Sequence, residues 1–419
     1  MSNSAIVLGG TVAHIDLIKL LQDRGYYVIL IDYLLNPPAK NIADKHVLKS
    51  TLNFDEVLAT AKIYNAKLII STSIDQANII ACQVAESLEL PRPYTSEIAF
   101  TIGNKDLMKE KLVELSVPTA RYGVIKHLNI SEPLISLPLV VKPSDSNSSK
   151  GVRVVKDKNN WHKHLKDAIN ISRDGKAIYE EYIDGIEVGI DCVVIDRNPH
   201  ILFTHIKRKP EIDGEVLFSI GSISPVLFPP IIEKKVYKAL KSIICGFNLD
   251  NTPLLIQLII RGNDIFILEF SPRIGGGLNN KKILKYRNFD IIDATIKSFL
   301  NIPIKLEGLK KLDVLVSENH LYYTKGMFKE LVGFQTLCND GIVDEYYIHK
   351  SLGDEITSNM SSGNRIASYI VSGKTINEIE IKIKKTIKTI ICRDIDNKEI
   401  ALKPIYSDLK LEYDIIRIH

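Results

Sequence analysis

The sequence predicts an α/β protein with a parallel-sheet domain first, a mixed core next and a small α+β segment last. Three observations carry that prediction. Residues 5–95 alternate short apolar runs with amphipathic stretches, the pattern of strands joined by crossover helices. An apolar run over 254–260 and a second one ending at Phe270 are separated by Gly262-Asn263-Asp264, which reads as a hairpin. From about residue 306 the composition changes again, and strands with one helix run towards His419.

A chain of 419 residues is long enough for two to four packed units. Hydrophobic content of 45% and charged content of 25% describe a globular protein rather than a disordered or membrane one. No apolar stretch reaches the roughly 20 residues of a membrane span. Met1-Ser2-Asn3-Ser4 lacks a basic region ahead of an apolar one, so no secretory signal is expected and the cytoplasm is the expected location. The five cysteines are scattered singly, as buried reduced thiols would be. Net charge is only +4, and the lysines of Ile381-Lys382-Ile383-Lys384-Lys385 alternate with isoleucine as on a solvated helix face, so no nucleic-acid partner is expected.

In chain order, the expected elements begin with a strand over 5–8, a helix over 14–23, a strand over 27–31, a helix over 54–64 and a strand over 67–70. Gly9-Gly10-Thr11 at the first turn would let backbone approach a ligand at a helix N-terminus. The spacing fails the dinucleotide fingerprint, and Asp32 alone does not restore it. Pro91-Arg92-Pro93 marks a boundary into a helix carrying Lys105. Leu139-Val140-Val141-Lys142-Pro143 reads as a strand stopped by proline, followed by a polar loop over 144–151 and a strand over 152–155. Small residues there present N–H and hydroxyl groups to an anion, although a plain solvent-exposed hairpin has the same composition. Glu180, Glu181 and Glu187 cluster where one strand ends and another starts after Gly185. A strand edge there could pair with an adenine while a glutamate accepts ribose hydroxyls; for Glu181 a solvated edge charge is the plainer reading. Further strands are expected over 313–316 and 365–371, and a helix over 375–389.

Across the hairpin, Gln257 and Glu269 are expected to face each other on neighbouring strands. Mg²⁺ takes oxygen ligands from one or two carboxylates and the remainder from phosphates and water, which this pair would suit. Taken alone, Glu269 reads equally well as a surface hairpin residue. Lys207-Arg208-Lys209, after His205, reads first as a solvated charge run and second as part of an acceptor pocket. Gly275-Gly276-Gly277 allows close backbone approach beside Arg273, with Asn279-Asn280 nearby. No Gly-x-Ser-x-Gly motif is present, so a nucleophilic hydrolase is not expected.

With these motifs in order, the chain resembles the ATP-grasp superfamily, in particular the carboxylate-amine ligases related to carbamoyl-phosphate synthetase, to amino-acid ligases and to formate-dependent purine-pathway enzymes. The resemblance implies a Rossmann-like N-terminal domain over 1–95, an ATP-grasp domain over 96–305 with its lid at about 118–182, and a C-terminal domain over 306–419. It implies ATP and Mg²⁺ as cofactors, with Mn²⁺ the alternative ion. Lys105 and Lys142 match its nucleotide lysines, and Ser148, Ser149, Lys150 and Gly151 its flap over the phosphates. Glu180, Glu181 and Ile183 match its adenine hinge, Glu187 its ribose contact, and Gln257, Glu269 and Ser271 its metal ligands. Ser148 departs from a usual flap glycine, and Ser271 stands where asparagine is common.

The implied reaction is activation of a carboxylate by ATP to an acyl phosphate, then attack by an amine to give an amide, ADP and phosphate. Lys142 and Lys150 would neutralise the transferring phosphoryl group, and Arg273 would grip the acyl phosphate or substrate carboxylate. The leading expectation is a dipeptide-like ligase whose partners are a small carboxylate and an amine, both amino acids, with no nucleic acid or membrane partner and a homodimeric state implied by the resemblance. A formyl-transfer or carboxylation enzyme of nucleotide biosynthesis is the rival within the fold. A nucleotide-binding regulatory or scaffold subunit without turnover is the rival from a different functional class.

Overall fold

The structure, a computed structural model, describes residues 3–126, 132–146, 150–209, 211–212, 215–216, 219–322, 325–356 and 364–401. The first sheet is parallel throughout, in the order Lys45–Leu48, Tyr27–Asp32, Ser4–Leu8, Ala66–Ser71. Ile6, Val7, Leu8 and Val28 to Ile31 are all fully buried, as strands covered on both faces require. Each such aliphatic side chain contributes roughly 1.5–3 kcal/mol on burial. The helix Val12–Asp23, capped by Thr11, starts two residues earlier than its periodicity suggests and buries Leu17, Ile18 and Leu21 against the sheet. Gly9 has φ +101°, and a Cβ there would sit 2.6 Å from Ile74, so the turn into this helix needs glycine. The helix Asp75–Ser87, not anticipated from the sequence, completes this layer.

A four-stranded antiparallel sheet follows in the order Tyr122–Ile125, Ala177–Glu181, Leu139–Pro143, Arg153–Val155. The helix Trp161–Ile171 buries Trp161, Leu165 and Ala168 on it. The third sheet has eight strands, all antiparallel: Asp264–Ser271, Thr252–Arg261, Ile186–Ile195, Asn198–Arg208, Gly221–Ser224, Leu315–Leu321, Ala367–Gly373 and Glu345–Ile348. Its last three strands come from the chain after residue 306, so that segment extends the central sheet. The helix Ile376–Thr389 buries Ile379 and Ile383 and leaves Ile381 exposed, the amphipathic face its lysine–isoleucine alternation indicates. Among the described residues, no helix is long and apolar enough to cross a membrane.

Candidate active site

Three chain segments converge on one cleft. Asp75 and Gln76 come from the first layer, Gly103, Lys105 and Met108 from two short helices, and Gln257, Glu269, Ser271 and Arg273 from the long hairpin. Asn104 ends the helix Ser96–Gly103 and starts the helix Lys105–Glu114, and the Lys105 N–H donates to the Ser144 carbonyl at 2.9 Å. This pins the lysine-bearing helix to the end of the Lys142 strand.

The hairpin register pairs Gln257 directly with Glu269, as expected, and Gln257 Nε2 donates to Glu269 Oε1 at 2.7 Å. Lys105 Nζ lies 3.9 Å from Glu269 Oε2 and donates to the Ser146 carbonyl. Lys207 donates to Gln257 Oε1 and lies 2.9 Å from Glu187 Oε1. Ammonium groups therefore stand on both sides of this oxygen pair. Among the described residues no three His, Cys, Asp or Glu side chains form a metal cage. Glu269 and Gln257 fit instead an ion that draws its remaining ligands from phosphate and water.

A second centre lies deeper. Glu180 is 3% exposed, with Lys142 Nζ 2.5 Å from Oε1 and Lys109 Nζ 3.2 Å from Oε2. Burial alone would push the Glu180 carboxyl up, but Lys109 and Lys142 outweigh it and hold it below the usual range. Burial brings the Lys109 ammonium down to about 8, against the pull of Glu180. Lys109 also donates to Thr119 Oγ1 at 2.7 Å. This residue is absent from the sequence-based site. It lies one helical turn beyond Lys105, and that i, i+4 spacing was the available signal.

The other expected site residues have the following partners. Glu187, read as a ribose ligand, carries Lys207 and Lys209 on its two oxygens, and they hold its carboxyl well below the usual range despite burial. The run 207–209 is thus engaged by partners on neighbouring strands rather than solvated. Ser271, read as a metal ligand, gives its hydroxyl to Asp75. Arg273, read as the grip on substrate, binds Asp75 through Nε at 2.7 Å and Nη2 at 2.6 Å. Glu181 pairs with Arg121 at 2.8 Å on the surface, the plainer of its two readings. Ile183 is buried at the hinge. Lys150 is exposed, and its carbonyl accepts from Ser146 Oγ at 3.3 Å. Gly151 has φ +75°. Ser148 and Ser149 lie outside the described residues.

Behind the cleft, the glycine loop after Arg273 is clamped by two buried carboxylates. Gly275 N–H and Asn279 Nδ2 donate to Asp191 at 3.2 and 2.8 Å. Leu278 N–H donates to Glu318 Oε1 at 2.8 Å, and Lys282 Nζ lies 2.7 Å from Glu318 Oε2. Asn280, by contrast, bonds Asp16 of the first layer. Burial raises the Asp191 carboxyl to about 6. His320 lies 3.6 Å from Glu318 and 2.9 Å from Ser368 Oγ, and His349 approaches the same hydroxyl at 2.8 Å. Burial, then Arg365, His349, Lys282 and Arg208, keep His320 neutral.

The ATP-grasp domain model matches residues 135–281, the stretch that holds Lys142, Glu180, Glu187, Gln257, Glu269 and Arg273. The chain is 24% identical over 378 residues to a formate-dependent phosphoribosylglycinamide formyltransferase from Prochlorococcus marinus, covering 87% of this chain and 91% of that one. Its counterpart from Trichormus variabilis is 29% identical over 301 residues, covering 69% and 74%. A solved L-amino acid ligase from Bacillus licheniformis superposes with a TM-score of 0.77 at 17% identity, covering 94% of this chain and 99% of that one, a likeness of fold. Residues 135–281 thus match an ATP-grasp domain, and over most of its length the chain is similar to proteins of that fold.

Proposed function

We propose that the protein activates a small carboxylate with ATP and passes the acyl group to the amine of a phosphate-bearing acceptor of the nucleotide-precursor class. Of the two ligase readings drawn from the sequence, this is the formyl-transfer or carboxylation one. The names of the relatives that match across most of the chain favour it over a dipeptide-like ligase.

The observation that carries it is the cationic crowding behind the glycine loop. Arg208, Lys282 and Arg365 all act on His320 from within a few side chains of Gly277. Arg208 reaches Asn319 Oδ1 at 2.5 Å, and Arg365 reaches Tyr322 at 2.9 Å. Planar guanidinium groups gathered near the glycine loop suit an anionic oxygen cluster such as a phosphate.

The nucleotide would lie between the lid and the hairpin, its phosphates facing Lys105, Lys109 and Lys142. Mg²⁺, held by Glu269 and Gln257, would neutralise developing charge on the transferring phosphoryl group. Lys207 would leave Gln257 as that ion enters. Transfer to the carboxylate forms a C–O–P bond and releases ADP; attack of the neutral amine forms the C–N bond and expels phosphate. Lid closure keeps water from the acyl phosphate.

The test is ADP release with MgATP and formate or acetate, comparing a phosphoribosyl amine with its dephosphorylated form. The reading expects turnover to favour the phosphorylated acceptor, and R365A to raise the KM for that acceptor while leaving the KM for ATP unchanged. Preference for free amino acids as acceptors would overturn it.

A further inference from the structure

Asp75 belongs to the first layer, yet its carboxylate binds the hairpin's arginine. It is the first residue of the helix Asp75–Ser87, just after the strand Ala66–Ser71. In open α/β sheets this C-terminal edge is where ligand-facing residues gather. Ser73 in the connecting turn has φ +58°, a left-handed backbone that serine adopts at a cost and that clusters at functional positions. Arg273 is 10% exposed and Asp75 20%, so the contact is shielded from solvent screening. Tyr94, from the chain between the layers, adds a hydrogen bond to the Pro272 carbonyl at 3.1 Å.

A guanidinium has five N–H groups in a rigid fork. Here Nε and Nη2 are given to Asp75 and Nη1 to the Ile274 carbonyl at 2.7 Å. That fixes the plane of the group and leaves one N–H on each terminal nitrogen for an anion in the cleft that Arg273 lines. Ser271 Oγ donates to the same Asp75 oxygen that holds Arg273 Nε, so one carboxylate sets both hairpin side chains.

We propose that Asp75 is a positioning residue for Arg273, through which the first layer orients the guanidinium that receives the acyl phosphate. The proposal rests on the ligase reading above. Misplacing a reacting group by about 1 Å costs about 10²-fold in rate.

The experiment measures carboxylate-dependent ADP release for wild type, D75N, R273A and the double variant, with melting temperatures alongside. Expected is a fall in kcat of about 10²-fold for D75N with the KM for ATP within about twofold, and a double variant no slower than R273A alone. D75E should recover part of the lost kcat. A lower melting temperature with kcat unchanged, or losses that multiply in the double variant, would overturn the positioning role and leave the ligase reading standing. Wild type that releases no ADP with any carboxylate would overturn the ligase reading, and the role of Asp75 with it.

Discussion

Lys109 and Lys142, from a helix and a strand 33 residues apart, close on opposite oxygens of the single buried carboxylate Glu180, at 3.2 and 2.5 Å. Two cations and one anion in a nearly dry site leave an excess positive charge that would draw in a polyphosphate.

Removing the shared anion should therefore be costly. E180A strands two buried ammonium groups, and breaking such a pair costs about 3–5 kcal/mol. Urea denaturation should show a loss of that size, whereas a change under about 1 kcal/mol would mean that the lysines swing out to water.

Lys109 makes the site sensitive to alkali. Its folded value, about 8, lies below the ordinary 10.5, so between these values the unfolded chain holds a proton that the folded one has released. Stability from this group accordingly rises with pH across that window, while attraction for phosphate falls. MgADP affinity should weaken between pH 7 and 9.5, and K109R, which keeps its charge, should flatten the curve. An equally steep decline in K109R would assign the effect elsewhere.

Glu269 is 39% exposed and sits at the cleft rather than in the core. E269A should leave stability within about 0.5 kcal/mol of wild type, as for other surface positions. ADP release should drop by about 10²-fold or more, since even partners of a metal ligand cost up to that much. Unchanged ADP release in E269A would remove Glu269 from the metal site.

The hairpin was legible in the sequence because its evidence is local. A turn at Gly262 and a period of two place Gln257 opposite Glu269 without knowledge of the remaining chain. Asp75 was not legible, because its partners Ser271 and Arg273 are 196 and 198 residues away. Lys109 was passed over for Lys105 because both lie on one face of the same helix, and only the position of Glu180 distinguishes their roles. Lys207 and Lys209 looked solvated because charge runs usually are; the neighbouring strand brings Glu187 beneath them. Glu181 followed the opposite course, its surface pairing with Arg121 being what an edge charge suggests.

Gly277 tests the loop behind the cleft. It has φ +71°, and a Cβ there would lie 2.3 Å from Glu318 Oε1, the carboxylate paired with Lys282. G277A should cost about 1–2 kcal/mol for the backbone alone. It should also raise the KM for the amine acceptor, with the KM for ATP unaffected. Wild-type kinetics in G277A would detach this loop from acceptor binding.

The most direct measurement traps the activated carboxylate. Wild-type protein is incubated with MgATP, formate or another small carboxylate, and hydroxylamine in place of the natural amine; ADP and hydroxamate are then quantified together. One hydroxamate per ADP is the predicted result, and AMP with pyrophosphate, or ADP without any hydroxamate, would contradict acyl-phosphate formation at this site.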